Sequence, residues 1–322
     1  MSIVLNSKVK VLDCTIRDGG LINKWQFPEE LVKSVYHSLT KAGIDYMEIG
    51  YRASEKLFDP KEYGKWRFSK DDTIKEVIGD QIPDKMKIGV MVDIGRVETD
   101  DLLPKDQAII DFVRVATYVK DTAKAVETAN IVEQKGYQSF INIMAISTVN
   151  EHDLIKALEQ IEKETNVIAV TVVDSYGSLY PDDVKYLVEL FRSVLKEKQV
   201  GFHGHNNQQL GFANTIQAIQ SGATFCDATI NGIGRGAGNC PIELLLSWLK
   251  NPKYNIEPIL QVIQDHFVKL AESGVEWGYI IPYMITGILN EHPRTAIALR
   301  DSEQRDHYAD FYRKLTTPEC FK

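Results

Sequence analysis

The sequence predicts an α/β fold, a closed parallel (β/α)8 TIM barrel with a short helical C-terminal extension. Three observations carry the prediction. Strand-like and helix-like runs alternate with little interruption between residues 9 and 249, the pattern of a parallel sheet wrapped by helices. The strand-like runs number eight, the count that closes a barrel. The first of them is not followed by the spaced glycines of a dinucleotide-binding open sheet, which is the structural alternative. A chain of 322 residues exceeds the usual single domain, but barrels of about 200–250 residues form one domain. Residues 1–250 are therefore read as the barrel domain and 251–322 as a helical extension.

The elements follow in order. Residues 9–16 form an apolar, β-branched run that Arg17, Asp18, Gly19 and Gly20 break. Pro28 opens a helix whose Leu31, Val32, Val35 and Leu39 recur at helical spacing until Gly43 stops it. Residues 45–51 are a second strand, and a loop with Pro60 and Gly64 leads to a short helix at 72–77. Strands at 87–94 and 112–118 precede a helix at 122–135 that ends at Gly136. A fifth strand at 139–146 leads to a helix that Asn150 can cap. The sixth strand, 167–173, is nearly all apolar, as burial on both faces requires. Pro181 then starts a helix with Val184, Leu187, Phe191 and Val194 on one stripe. Residues 200–204 and 224–230 are strands seven and eight, with helices at 210–220 and 241–249. Beyond residue 251 the alternation stops. Runs at 258–272, 283–289 and 302–315 read as helices that cap one end of the barrel or form an oligomer contact, as in a homodimer.

Hydrophobic residues at 44% and charged residues at 25% describe a protein that buries a core. A net charge of -8 disfavours nucleic acid or an anionic membrane as partner. None of Cys14, Cys226, Cys240 and Cys320 forms a CxxC pair, which argues against a zinc ribbon. Residues 1–8 lack the apolar core of a signal peptide, and no apolar run reaches the ~20 residues that cross a bilayer. The expectation is a soluble cytoplasmic protein.

Chemistry gathers at strand ends. Side chains alternate faces along a strand, so His203 and His205 point the same way. Imidazoles suit zinc, copper, iron or nickel, and added carboxylates shift preference toward manganese and magnesium. Asp18 is either a turn cap or a ligand. Glu48 lies inside the apolar run 47–50 and is read as a buried functional acid. Arg17, at a strand end, needs an acid partner such as Asp18 or Glu48. Arg114, Asn142 and Asp174 also sit on strands or at their ends, where barrel active sites form. Arg114 and Asn142 read equally as interior hydrogen-bond partners and as substrate contacts. The glycine-rich stretch 232–239 is a turn or an anion cradle.

Four of these segments carry a resemblance. Thr15-Ile16-Arg17-Asp18-Gly19-Gly20, the strand 43–50, His203-Gly204-His205-Asn206 and Gly234-Arg235-Gly236-Ala237-Gly238-Asn239 resemble the DRE-TIM metallolyase superfamily. That group holds 3-hydroxy-3-methylglutaryl-CoA lyase, 4-hydroxy-2-oxovalerate aldolase and the isopropylmalate and homocitrate synthases. The likeness is strongest to the aldolase branch, through residues 112–117 and 173–175. The resemblance implies that Asp18, His203 and His205 bind a divalent metal, Mn2+ or Mg2+ with Zn2+ compatible, and that Asn239 is a further ligand. It implies that Arg17 stabilises an enolate oxygen of a small 2-oxo acid substrate and that Glu48 orients Arg17; Arg114, Asn142 and Asp174 are, from their places on the strands, the further candidate substrate contacts. It also implies a dehydrogenase partner that receives a reactive aldehyde.

The sequence departs from that branch at one place. The branch's general-base histidine follows its Arg-Asp-Gly, whereas here Asp18 is followed by Gly19, Gly20, Leu21, Ile22, Asn23, Lys24 and Trp25. Lys24, Tyr118, Tyr283 and His292 are the candidates for proton transfer. The expected activity is cleavage or formation of a C–C bond next to a 2-oxo acid. The alternatives are an acyl-CoA condensing transferase and a barrel that binds partners without catalysis.

Overall fold

The computed structural model describes residues 8–79 and 86–317. Cys320 and the N-terminal segment through residue 7 lie outside these residues. The chain runs β1 (Lys10–Asp13), α1 (Thr15–Asn23), α2 (Glu29–Ala42), β2 (Tyr46–Tyr51), α3 (Asp71–Ile78), β3 (Lys87–Asp93), β4 (Phe112–Thr117) and α4 (Thr122–Gln134). It continues β5 (Gln138–Ile143), α5 (Glu151–Glu164), β6 (Ala169–Asp174), α6 (Pro181–Val194), β7 (Gln199–Gly204), α7 (Gly211–Gln220), β8 (Phe225–Ala228) and α8 (Ile242–Leu249). Every strand pairs in parallel with the next, and β1 pairs with β8, so the barrel is closed.

The strand periodicity stacks the barrel interior in layers. Tyr46, Phe112, Phe140 and Phe225 meet edge to face at 5.4–5.8 Å between ring centroids. Such pairs contribute about 0.5–1.5 kcal/mol each beyond area burial. Two residues further along the same four strands stand Glu48, Arg114, Asn142 and Asp227, all buried. Period-two alternation returns them to the interior, one layer nearer the C-terminal mouth.

The first strand is shorter than its apolar run suggests. Residues 9–16 read as strand, yet β1 stops at Asp13 and a helix begins at Thr15. The Asp13 carboxylate accepts the Thr15 backbone N–H at 3.1 Å and the Thr15 hydroxyl, which satisfies an orphan donor of the new helix. Arg17 and Asp18 thus project from the first turn of α1 rather than from a strand end. Gly20 is required there: a Cβ on it would fall 2.0 Å from Trp25 Cδ1.

The extension covers one end of the barrel. Tyr254 donates its hydroxyl to Asp45 at 2.6 Å. α9 (Glu257–Val262) packs on α2 and continues through a π-turn at Ile263–Phe267 into α10 (Val268–Glu272). α11 (Ile281–Ile288) then crosses the C-terminal face. Asn207 reaches the Tyr283 carbonyl at 3.3 Å, and Asn290 reaches that of Ser147 at 3.1 Å. α12 (Arg294–Arg300) and α13 (Tyr308–Thr316) complete the cap. The single helix expected at 302–315 is therefore corrected. It begins only at Tyr308, and a separate helix precedes it behind Pro293, which needs no N–H at a helix start. Among the described residues no helix is long and apolar enough to cross a membrane.

Candidate metal centre and active site

Asp18, His203 and His205 converge. Each offers a donor atom, and these atoms all lie within 4.8 Å of one another. All three side chains are buried, and with Arg17, Asn142 and Arg235 they line a cavity of about 70 Å3 at the barrel mouth.

The electrostatics suit a cation. Burial opposes ionisation of Asp18, but Arg17, the two histidines and a hydrogen bond from Asn239 outweigh it and hold the carboxyl well below its usual range. Burial pushes His205 down to about 3, with Asp18 opposing and His203 and Arg235 adding to the shift. A neutral imidazole and an ionised carboxylate are the forms that ligate metal. His203 Nδ1 hydrogen-bonds Asp227 Oδ2 at 2.9 Å. A proton held there leaves Nε2 as the electron-pair donor. Asn239 donates its amide nitrogen to Asp18 and to the Ile233 carbonyl, while its buried Oδ1 has no partner. An orphaned buried oxygen beside three convergent donors fits a divalent ion.

Arg17 is clamped from two sides. Its Nε donates to Glu48 at 2.6 Å and its Nη1 to Asp18 at 2.7 Å. Its Nη2 has no protein partner among the described residues. Trp25 Nε1 donates to the Arg17 carbonyl at 2.9 Å and steadies the helical turn below. The loop after β8 closes the other side. A Cβ at Gly234 would fall 2.8 Å from Asp18 Oδ2, so only glycine lets the backbone come this near.

Several expected residues occupy other places. Arg114 does not reach the cavity. It lies one layer below, donating to Asp227 at 2.6 Å, to Asn142 at 3.2 Å and to Glu48 at 3.4 Å. Its charge is paired with buried acids, the interior hydrogen-bonding arrangement that is one of its two readings from sequence. Asp174 is likewise turned into its own loop, where it accepts the N–H groups of Ser178 at 3.0 Å and Leu179 at 3.3 Å. Asn142 alone of these three lines the cavity.

None of the four proton-transfer candidates faces the cavity either. Lys24 pairs with Glu62 at the surface, and Tyr118 is exposed. The Tyr283 hydroxyl accepts from Arg300 at 3.0 Å. His292 stacks edge-on against Tyr176, and burial with Arg235 and Arg294 pushes it down to about 4. Leu21, on the turn where the aldolase branch carries its histidine, lines the cavity.

Sequence reading missed Asp227. It is a lone acid between Cys226 and Ala228 in a buried strand, the same signal that singled out Glu48. Burial alone would raise its pKa, but Arg114 and His203 pull it down to about 2. Cys14, His203 and Asp227 form a second convergent trio, whose centre Arg114 already engages through Asp227 and Cys14.

A closed barrel with one carboxylate, two imidazoles and a clamped guanidinium at its mouth defines a metal-competent lyase site. The chain belongs to the HMGL-like family, whose signature matches residues 86–266. It is 30% identical over 267 residues to a 4-hydroxy-2-oxovalerate aldolase of Bacillus cereus, covering 83% of this chain and 76% of the relative. It is also 30% identical over 240 residues to an oxaloacetate decarboxylase of Mycobacterium tuberculosis, covering 74% and 69%. Among solved structures it matches the N-terminal domain of an aldolase-like protein from Bacteroides vulgatus. There the TM-score is 0.77 and the identity 30%, over 91% of this chain and 97% of that one. The fold also matches HMG-CoA lyase of Bacillus subtilis at TM-score 0.67 and 17% identity, over 84% and 96%.

Proposed function

We propose that this chain is a divalent-metal-dependent lyase that breaks or forms the bond between the carbon α to the keto group of a 2-oxo acid and the carbon beyond it, in the manner of a 4-hydroxy-2-oxovalerate aldolase. The supporting observation is the convergence of Asp18, His203 and His205 beside the free nitrogen of Arg17. Those three residues, with Asn239 through Oδ1, would hold the ion, Mn2+ or Mg2+ by the mixed nitrogen and oxygen donors. When bound, the ion supplies Lewis-acid polarisation of the substrate carbonyl.

The chain's own groups do the rest. As the C–C bond breaks, its electron pair forms the C=C bond of the enolate and the carbonyl π pair moves onto oxygen, where Arg17 Nη2 donates a hydrogen bond to the developing charge. Glu48 and Asp18 fix the guanidinium plane, so little reorganisation is needed when the charge appears. Asn142 offers a hydrogen bond from the opposite wall. Leu21, Met91 and Val173 keep water away from the enolate.

Leu21 favours a second reaction of the same site. Aldol cleavage needs a base to take the hydroxyl proton, whereas loss of CO2 from a 2-oxo acid with a carboxylate on its 3-carbon removes no proton before the enolate forms. The test is pyruvate release from 4-hydroxy-2-oxovalerate and from oxaloacetate, before and after chelation. Chelated protein should be inactive toward both, and Mn2+ or Mg2+ should restore pyruvate release from at least one. Full turnover by metal-free protein would overturn the proposal.

A further inference from the structure

One guanidinium at the mouth has no countercharge. Arg235 lines the same cavity as Arg17 and the histidines. It stands on the loop after β8 and reaches across the end of β7, where its Nη2 meets the Ser175 carbonyl beyond β6 at 3.4 Å. Its Nε is buried without a partner. Among the described residues no carboxylate oxygen lies within 4.0 Å of it. His205, His292 and Tyr176 lie near enough to feel its charge, and none of them is a carboxylate.

The remaining charges of the site nearly cancel without Arg235. Asp18, Glu48 and Asp227 face Arg17 and Arg114. A divalent ion and a singly charged 2-oxo acid bring that group to neutrality. Arg235 stands outside that count, and its side chain lines the cavity wall. A partly buried cation without a partner is costly, and a ligand that pairs with it gains what the protein does not supply. Arg17 approaches from the β1–β2 side, while Arg235 approaches over β6–β8. The two guanidiniums therefore address different ends of one small molecule.

We propose that Arg235 binds a second carboxylate of the substrate, so that the site selects dicarboxylic over monocarboxylic 2-oxo acids. This rests on the 2-oxo acid lyase reading above and narrows it: 4-hydroxy-2-oxovalerate, with one carboxylate, becomes the weaker ligand, and a substrate with a carboxylate in place of its terminal methyl the preferred one. The carboxylate distinguishes the proposal from a role for Arg235 on the carboxylate that every 2-oxo acid carries. In that case both classes of ligand would depend on it equally.

Equilibrium binding tests it without turnover. 2-Oxoglutarate and 2-oxovalerate share a five-carbon 2-oxo acid frame, and one carries a carboxylate where the other carries a methyl. Titrated calorimetrically into the Mn2+-loaded chain, 2-oxoglutarate should bind about tenfold more tightly or better, the size of one charge-assisted hydrogen bond. In Arg235→Met the ratio of the two dissociation constants should fall toward one, and Arg235→Lys should retain part of it. Equal affinities in the natural chain, or a ratio unchanged in Arg235→Met, would overturn the proposal. If the chain binds with the expected ratio but releases no pyruvate from 4-hydroxy-2-oxovalerate or oxaloacetate, the lyase reading fails and the anion site stands.

Discussion

Two layers of the barrel interior use the same residue types to opposite ends. In the middle layer Arg114 is surrounded by Asp227, Glu48, Asn142 and the Cys14 sulfur, and its charge is consumed inside the protein. One layer up, among the described residues, Arg17 keeps a nitrogen free, Asn239 keeps an oxygen free and Arg235 has no acid partner. The middle layer is nearly complete as folded, with Glu48 Oε1 left unpaired among the described residues, while the mouth leaves more groups to a ligand. A satisfied network holds shape and an unsatisfied one binds. The two layers touch through His203, which hydrogen-bonds Asp227 below and faces Asp18 and His205 above.

The comparison breaks most plainly at Arg114. Arg114→Met leaves Asp227 and Glu48 buried and less well paired, so it should cost about 3–5 kcal/mol of stability, read as a fall in the urea midpoint. A loss below about 1 kcal/mol would mean that the middle layer is not held by this arginine.

Asp13 sharpens the contrast because it is buried with a hydroxyl and an N–H as partners instead of an arginine. Burial, against those two hydrogen bonds, raises its pKa to about 7. A carboxyl whose folded pKa exceeds its unfolded value of ~3.9 stabilises the fold most at low pH. Its contribution should decline as pH rises from about 4 to 7, by up to about 4 kcal/mol, and Asp13→Asn should flatten that part of the profile. Unfolding free energies measured across pH 4–8 in both proteins check the sign. An equal slope in the two would refute it.

The smallest expected effect lies where the layers meet. Asp227→Asn keeps the shape of the His203 partner but loses its charge, so Mn2+ affinity should fall about 10–100-fold. An unchanged dissociation constant would separate the two layers after all.

What was legible beforehand follows the same division. Strand periodicity placed the eight strands, and the lone polar residues inside apolar runs marked Glu48 and Arg114. Their depth was not legible, because alternation gives a side chain's face but not its layer. That is why Arg114 reads equally as a substrate contact and as an interior partner, and the structure places it beneath the cavity. Asp174 was misplaced for a different reason: a carboxylate at a strand end satisfies loop N–H groups as readily as a ligand. The helical start at Thr15 was hidden because the Asp13 side chain, rather than any loss of apolar character, ends the strand. Arg235 lay inside a glycine-rich loop whose path over Asp18 only the folded chain reveals.

The central claim is that Asp18, His203 and His205 form one cation site that the rest of the mouth is built around. Calorimetric titration of the chelator-treated chain with Mn2+ tests it most directly. One ion should bind per chain, and binding should be lost when Asp18→Asn, His203→Ala and His205→Ala are combined. If the triple variant takes up Mn2+ with the stoichiometry and affinity of the natural chain, the metal sits elsewhere and the account is wrong.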